Sequence, residues 1–199
     1  GVNVCVTLAE VESPTFETPR LLLRDWHPSD RAPFAAINAD PLVMRYFPST
    51  LNGEGSDAMV ERNRLHFERH GFGLWAAAVR ETNEFAGFIG LSVPSFETDF
   101  TPCIEIGWRL ASCFWNKGLA TEGASAVLRF AFDTLHLDQV VSFTVVENLP
   151  SRRVMEKIGM IRDLGGRLRS SADSQREPTL PTRTLPGARV QQQVGGQAT

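Results

Sequence analysis

The feature that most constrains the fold is a strand, a turn and a helix that follow one another between residues 103 and 135. Apolar residues fall on every second position of residues 103–110, which predicts a strand with one apolar face. From residue 120 onwards they recur at spacings of three and four, which predicts a helix with one buried stripe. A second strand over residues 140–146 and a helix over residues 148–159 complete a strand–helix–strand–helix unit. Its right-handed crossover predicts that the two strands are parallel.

The turn at residues 114–120 is the part of this unit that points to a ligand. It contains Gly118 and runs directly into the predicted helix. Such a turn directs several backbone N–H groups to one point, with the positive end of the helix dipole behind them. We therefore predict a pyrophosphate site here. The alternative is that Gly118 is an ordinary loop glycine.

The residues before this unit predict the rest of one α/β domain. Residues 20–26 are typical of a strand, and residues 74–80 and 85–93 of a hairpin. Ser29 and Ser56 are predicted to cap two helices, and residues 43–47 are expected to form an irregular, flexible segment on the substrate side. Gly107 interrupts the central strand, which marks either a bulge or a close approach of a ligand to the backbone.

Composition excludes several classes of protein. The chain has 199 residues, of which 42% are hydrophobic, so it can bury one sizeable core. Its formal net charge of -3 gives no reason to expect nucleic acid or a membrane as a partner. Three cysteines without metal-ligand spacing favour a reducing, cytoplasmic location. No apolar run is long enough to span a bilayer.

Three motifs carry a resemblance to a known family. Residues 105–110, 115–122 and 148–160 read EIGWRL, WNKGLATE and NLPSRRVMEKIGM. In this order they resemble the GNAT superfamily of acetyl-CoA-dependent N-acetyltransferases and, within it, the RimJ/RimL branch of ribosomal-protein N-terminal acetyltransferases. The resemblance implies an α/β fold with a mixed, largely antiparallel sheet, a central splayed pair of parallel strands and helices on both faces. It places the acetyltransferase domain at residues 18–162, after an N-terminal extension of residues 1–17.

The resemblance also implies how acetyl-CoA is held. A pantetheine arm would pair with the backbone edge of the central strand, and the pyrophosphate would bind the N–H groups of the turn. The residues that match these family positions are Trp108, Arg109, Leu110, Asn116, Lys117, Gly118, Leu119, Ala120, Thr121, Asn148 and Ser151. Glu122 complicates this interpretation because it would have to point away from a bound phosphate.

Two residues are expected to be catalytic. The resemblance implies direct attack of an amine on the thioester, with Glu105 as the general base and the Ser151 hydroxyl near the leaving sulfur. The alternatives are that Glu105 is solvated or paired with Arg109, and that Ser151 and Asn148 only cap a helix. No metal is expected: His66 and His70 have a ligand spacing, but the sequence offers no third ligand.

The C-terminal segment departs from the family pattern. Residues 163–199 contain no aromatic residue and are rich in Gly, Pro, Arg, Ser and Gln. Such a segment buries too little apolar surface to offset its loss of entropy on ordering. We expect it to be largely disordered, with the closing strands of the sheet missing or altered.

The leading interpretation is an enzyme that moves an acetyl group from acetyl-CoA to a primary amine, with a protein N-terminal α-amine as one candidate acceptor. The competing interpretation is a CoA-binding regulatory or structural module without turnover. A nucleotide-binding domain of another fold is the third, although the sequence has neither a Walker lysine motif nor a GxGxxG turn. Monomer and homodimer are both open.

Overall fold

The computed structural model describes residues 14–95, 101–163 and 188–192. Within these ranges eight strands form one sheet: β1 (Phe16–Glu17), β2 (Leu21–Arg24), β3 (Leu74–Val79), β4 (Phe85–Ser92), β5 (Glu105–Leu110), β6 (Val140–Thr144), β7 (Ile161–Asp163) and β8 (Ala188–Gln192). The helices are α1 (Arg31–Ala39), α2 (Pro41–Met44), α3 (Gly53–His70), α4 (Leu119–Asp133) and α5 (Leu149–Lys157). The predicted order of strands and helices is therefore confirmed, with one additional short helix, α2.

The sheet is mixed, as the resemblance implied. Its strand order is β1-β2-β3-β4-β5-β6-β8-β7. The pairs from β1 to β5 are antiparallel, whereas β6 runs parallel to β5 and to β8. Helices pack on both faces, which gives the α/β architecture of a GNAT domain.

Two apolar clusters lie on opposite faces of the sheet. The larger one packs α4 and α5 against the central strands, and the smaller one packs α1 and α3 around Phe34 and Phe88. Helix α4 approaches the sheet closely because its inward positions are small. Ala124 is fully buried, and a Cβ added at Gly123 would lie 2.3 Å from Ile89 Cδ1. This close packing fixes the N-terminus of α4 beside the end of β5.

Three local predictions on the helices are wrong. Ser29 does not cap α1, because it lies inside the 3-10 helix Pro28–Asp30, and Asp30 holds the N-cap position of α1. Ser56 does not cap α3; the helix begins at Gly53, and the Asn52 side chain accepts a hydrogen bond from the Gly55 N–H. Ser56 is instead buried in the first turn of α3. Residues 43–47 are not wholly irregular, because α2 covers Pro41–Met44. The Asp40 side chain caps the start of α2, and a proline occupies the first helical position; both are favoured there. In the sequence this proline suggested only irregular structure.

The C-terminal segment forms more structure than expected. Ala188–Gln192, inside the segment predicted to be disordered, is strand β8 and pairs with both β6 and β7. Backbone hydrogen bonds to two neighbouring strands offset the ordering cost without requiring aromatic side chains. Strands β7 and β8 run parallel to each other. The rest of the segment lies outside the described residues.

At the other end of the sheet, β1 lies within the predicted N-terminal extension and pairs with β2. Among the helices of the described ranges, none combines the length and apolarity needed to cross a bilayer.

Candidate active site

A cavity of about 1030 Å³ lies between β5 and β6 and reaches under α2 and α3. We call it the central cavity. Its wall includes side chains from both strands, from the turn before α4, from the start of α5 and from the segment around α2. Of the predicted site residues, it brings together Glu105, Trp108, Arg109, Leu110, Asn116, Gly118, Leu119, Ala120, Thr121, Asn148 and Ser151. Lys117 is exposed on the same turn but is not part of this lining.

The cavity exists because β5 is paired differently on its two edges. Six residue pairs join β5 to β4, from Gly87 opposite Leu110 to Ser92 opposite Glu105. Only one pair, Glu105 with Val141, joins β5 to β6. Beyond that pair the two parallel strands separate. The structure thus confirms the splayed central pair that the resemblance implied.

The unpaired edge of β5 presents the backbone of Trp108. The Ile104 C=O accepts from the Val141 N–H on the β6 side, whereas the Ala111 N–H donates to Ala86 on the β4 side. Backbone groups alternate in direction along a strand, so the N–H and C=O of Trp108 point towards β6, where no strand pairs with them. An extended ligand with amide groups fits this edge as an additional strand would.

The turn before α4 presents further unpaired N–H groups to the cavity. Gly118 is the N-cap in the left-handed region, with φ 79°, and no side chain caps the helix. Asn116 also has a positive φ of 59°. The Lys117 C=O accepts from Arg20 Nη1 at 2.7 Å, which directs the N–H of the same peptide group away from Arg20. The turn predicted to bind pyrophosphate therefore has N–H groups that form no hydrogen bond with the described residues.

Two side chains hold this turn in place. Trp115 Nε1 donates to the Leu110 C=O at 2.8 Å, which ties the turn to the end of β5. Glu122 accepts from Thr18 Oγ1 at 2.6 Å and from the Arg20 N–H and Nε at 2.8 and 2.7 Å. Glu122 therefore points towards the start of β2 and away from the N–H donors of the turn. This is the orientation that a phosphate bound to the turn requires of it.

Glu105 lies where β5 and β6 part. Its carboxylate accepts hydrogen bonds from the Ser92 hydroxyl and from the backbone N–H of Phe143 on β6. If β5 and β6 stayed paired, the Phe143 N–H would donate to the Ile106 C=O, two residues beyond Ile104. The Glu105 carboxylate accepts this hydrogen bond in place of that carbonyl. Burial raises the pKa of Glu105 to about 7, and the two hydrogen bonds only partly oppose this. The Glu105 carboxyl can therefore both accept and release a proton near neutral pH.

Glu105 and Arg109 share a face of β5 but do not pair with each other. Arg109 is 8% exposed, and its Nη1 donates to Asn38 Oδ1 of α1 at 2.5 Å. The hypothesis of a Glu105–Arg109 ion pair is wrong, because the guanidinium extends towards α1 and α3. Between them, Gly107 pairs regularly with Gly90 and a Cβ there would meet no atom within 4 Å. There is no bulge at Gly107; the position is open to the cavity.

Asn148 and Ser151 do form a helix cap. The Asn148 side chain accepts from the Ser151 N–H at 3.2 Å at the start of α5. This leaves the Ser151 hydroxyl, which is partly buried, on the wall of the central cavity. The capping role and a role at the leaving sulfur therefore do not compete, because they use different atoms of Ser151.

The ring of His66 is held by backbone groups. His66 Nδ1 lies 2.8 Å from the Phe72 C=O, and its Nε2 lies 3.0 Å from the Val93 N–H. Both ring nitrogens thus have backbone partners, and burial lowers the pKa of His66. Within the described ranges, no group of histidine, cysteine and acidic residues is arranged to hold a metal ion.

Sequence reasoning missed several residues of the cavity. Ser92 was treated only as part of a hairpin strand, and Asn38, which lies behind the cavity wall and contacts Arg109, was not identified. Arg45, Tyr46 and Phe47 belong to the segment predicted to lie on the substrate side, but its lack of a periodic pattern gave no signal that these side chains reach the central strand. Their position follows from α2, which returns the chain over β5.

Comparison with known proteins agrees with this geometry. Residues 20–161 match the family model described as an acetyltransferase (GNAT) domain. The Bacillus subtilis protein called uncharacterized N-acetyltransferase YnaD is 31% identical over 147 residues, which are 73% of this chain and 82% of that protein. The FsC-acetyl coenzyme A-N(2)-transacetylase of Aspergillus fumigatus is 39% identical over 97 residues, covering 45% of this chain and 39% of its own length.

A solved structure shows the same fold. The crystal structure of an acetyltransferase from Agrobacterium tumefaciens superposes with a TM-score of 0.67 at 28% identity, over 78% of this chain and 89% of the other. The match to the family model covers well over half of the chain, and the cavity lies inside it. The protein is therefore an acyltransferase that belongs to the GNAT acetyltransferase family.

Proposed function

We propose that the protein transfers an acetyl group from acetyl-CoA to a primary amine by direct attack of the amine on the thioester, with Glu105 as general base. The observation that carries this proposal is the position of Glu105. Its carboxylate lies at the point where the backbone edge of β5 becomes free, and its pKa of about 7 suits proton transfer at neutral pH.

The described residues fit acetyl-CoA as a substrate. The free N–H and C=O of Trp108 suit the amides of the pantetheine arm, and the uncapped N-terminus of α4 suits the pyrophosphate. Arg153 and Lys157 on α5 add positive charge to the same cavity. When bound, acetyl-CoA supplies an activated acetyl group, and a Ser151 hydroxyl near the departing sulfur would stabilise the thiolate.

An N-terminal α-amine is the acceptor that Glu105 deprotonates most readily. The pKa of a free α-amine is about 7.7–8.0, against about 10.4 for a lysine side chain. The gap to a carboxylate with a pKa of about 7 is therefore small for the α-amine and more than three units for lysine. We propose a protein N-terminal α-amine, and with it membership of the RimJ/RimL branch, on this argument and on the motifs of residues 105–122 and 148–160.

Several expectations remain predictions. They include the domain limits of residues 1–17, 18–162 and 163–199, the cytoplasmic location, the choice between monomer and homodimer, and the expectation that nucleic acid and membranes are not partners.

A thiol-release assay with a panel of primary amines tests the proposal. We expect acetyl-CoA-dependent release of thiol that requires an amine and falls sharply in Glu105→Gln. Binding of CoA in a calorimetric titration without release of thiol with any amine would instead favour a module without turnover. An ATP titration is the control, since binding of ATP and not of CoA would favour another nucleotide-binding function.

A further inference from the structure

One face of β5 forms a trough across the floor of the central cavity. Glu105, Gly107 and Arg109 alternate along the strand, so their side-chain positions lie on the same face. Gly107 contributes no side chain, and the space above it is open. The Cα atoms of Glu105 and Arg109 are separated by about 13 Å, four residues of extended chain. A small elongated molecule can therefore lie over Gly107 with its ends at Glu105 and Arg109.

The guanidinium at one end of the trough is buried without an anionic partner. Among the described residues, no carboxylate lies within ion-pair distance of Arg109. Its hydrogen bonds all come from Nη1, to Asn38 Oδ1 and to the Met59 sulfur at 3.7 Å, while its buried Nε has no partner. Burial alone lowers the pKa of Arg109 to about 10. The side chain thus carries the desolvation cost of a buried charge without an opposite charge to offset it.

A second buried arginine, Arg24, shows the partner that Arg109 does not have among the described residues. Arg24 is 7% exposed, and its Nη1 and Nη2 donate to the two carboxylate oxygens of Asp30 at 2.7 and 3.0 Å. This is the bidentate pairing that a buried guanidinium favours. At Arg109 the equivalent partner is the neutral Asn38. No carboxylate of the described residues takes this place at Arg109, which leaves the position open to the carboxylate of a bound molecule.

The aromatic residues around Arg109 leave its donors available. Phe47 and Phe88 lie 4.4 and 5.5 Å from the guanidinium carbon, measured to their ring centroids. Rings that stack on the face of a guanidinium do not use its N–H groups, which lie in its plane. With Nη1 engaged by Asn38 and Nε buried, the Nη2 group remains for a ligand, and Arg109 is part of the cavity wall.

We propose that Arg109 binds a carboxylate of the acceptor, so that the acceptor is an amine that also carries a carboxylate, laid along the trough with its amine at Glu105. This inference rests on the proposed function, because it assigns the acceptor of the same site. Two sources share the chemistry: a small amino acid, and a peptide N-terminus followed by an acidic residue.

Matched acceptors test the inference. The first arm compares ω-amino acids of increasing chain length with their primary carboxamides, which keep the length and remove the charge. The second arm compares C-terminally amidated peptides with Glu or Gln at the second position. In at least one arm, kcat/KM for the carboxylate is expected to exceed that for the carboxamide by about tenfold to a hundredfold, the effect of a charge-assisted hydrogen bond. The arm that responds identifies the source.

Two variants attribute the preference to Arg109. Asn38→Asp supplies an internal carboxylate to the guanidinium, as Asp30 does for Arg24, and Arg109→Met removes the charge but keeps an apolar side chain among Met59, Phe47 and Phe88. Both are expected to bring the carboxylate-to-carboxamide ratio close to one. Arg45→Met is the matched control, because Arg45 lines the same cavity, and it should retain the ratio. The ratio is internal to each variant, so partial misfolding of Arg109→Met does not mimic the result.

The outcomes separate the two proposals. A wild-type protein that acetylates amines but treats carboxylates and carboxamides alike overturns this inference and leaves the proposed function intact. A preference that survives in Asn38→Asp also overturns it, because the anion would then be bound elsewhere. Failure to acetylate any amine overturns the proposed function and this inference together.

Discussion

The two edges of β5 are made from the same six residues and differ in what they bind. On the β4 side every residue of the strand is paired, in a regular antiparallel ladder. On the β6 side one pair is followed by an opening. Unpaired backbone groups are costly when they are buried, so an opening inside a sheet persists only where another partner satisfies them. One edge of β5 is thus used by the sheet, and the other is free for the ligand that we propose.

The side chain of Glu105 connects the two edges. It contacts Ser92 of β4 and the Phe143 N–H of β6 at the last residue pair before the strands part. The carboxylate that we propose as the base therefore also stabilises the separation of the strands. Function and local geometry depend on the same group.

Replacement of Glu105 by Gln is expected to have the largest effect. Gln retains an oxygen that accepts from the Phe143 N–H, so the opening should persist while the base is lost. We expect kcat/KM to fall by about 10²- to 10⁴-fold, the usual contribution of a general base. Unchanged activity in a thiol-release assay would show that the open edge works without Glu105.

The same variant should differ from the wild type in stability, with a defined sign. The pKa of Glu105 is raised from about 4.5 to about 7 in the fold, so its contribution to stability is present below pH 4.5 and is lost as the pH rises through 7. The loss is about 3 kcal/mol. Glu105→Gln should thus unfold at a higher temperature than the wild type at pH 8 and at a similar one at pH 4.5. An equal or lower Tm at pH 8 would contradict the burial of this charge.

The pH dependence of the rate sharpens the same point. With a pKa of about 7, the ionised fraction of Glu105 rises about tenfold between pH 6 and pH 8. We expect kcat/KM to rise accordingly, after correction for the ionisation of the amine, and the rising limb to disappear in Glu105→Gln. A limb that is identical in the variant would assign the titration to the acceptor alone.

The substitution Gly118→Ala tests whether the turn before α4 binds CoA. Alanine at its φ of 79° is strained by about 1–2 kcal/mol, which should shift the N–H groups of the turn and weaken CoA binding by about tenfold. Gly71→Ala is the matched control, because Gly71 has a φ of 73° at the end of α3 and does not line the cavity. Calorimetry should show weaker CoA binding only for Gly118→Ala. Equal affinities in the two variants would remove the turn from the site.

Gly107→Val is expected to have the smallest effect, and it separates acceptor from cofactor. The position tolerates a side chain sterically, so Tm should change little, but the valine would fill the trough between Glu105 and Arg109. We expect the KM of the acceptor to rise several-fold, while the Kd of CoA stays the same, because the Gly107 backbone is paired with β4. A rise in the Kd of CoA alone would place the cofactor, and not the acceptor, over Gly107.

The sequence predicts the elements of this fold well, because they depend on local patterns. The alternation in β5 and the small inward residues of α4 are both visible in a single sequence. Glu105 and Gly118 were likewise identified from motifs in which neighbouring residues act together. The prediction failed where a residue pairs across the fold: the helix-cap interpretation of Ser56 missed that it accepts a hydrogen bond from Asn38.

The acceptor side of the cavity illustrates the same limit. From the sequence, the backbone of Arg109 was predicted to contact the cofactor. Its side chain was thought to form an ion pair with Glu105. Its actual neighbours, Asn38 and Met59, are 71 and 50 residues away in the chain. No spacing rule connects such residues, so only the structure could show that Arg109 contacts Asn38 and no carboxylate of the described residues.

Residue-resolved amide hydrogen exchange tests the central claim most directly. The Trp108 N–H faces the open edge of β5, whereas those of Gly107 and Arg109 face the β4 ladder. We predict that saturating acetyl-CoA slows exchange of the Trp108 amide strongly and changes that of its two neighbours little. If acetyl-CoA leaves the Trp108 amide unprotected in folded protein, the opening between β5 and β6 is not the place where the pantetheine arm binds.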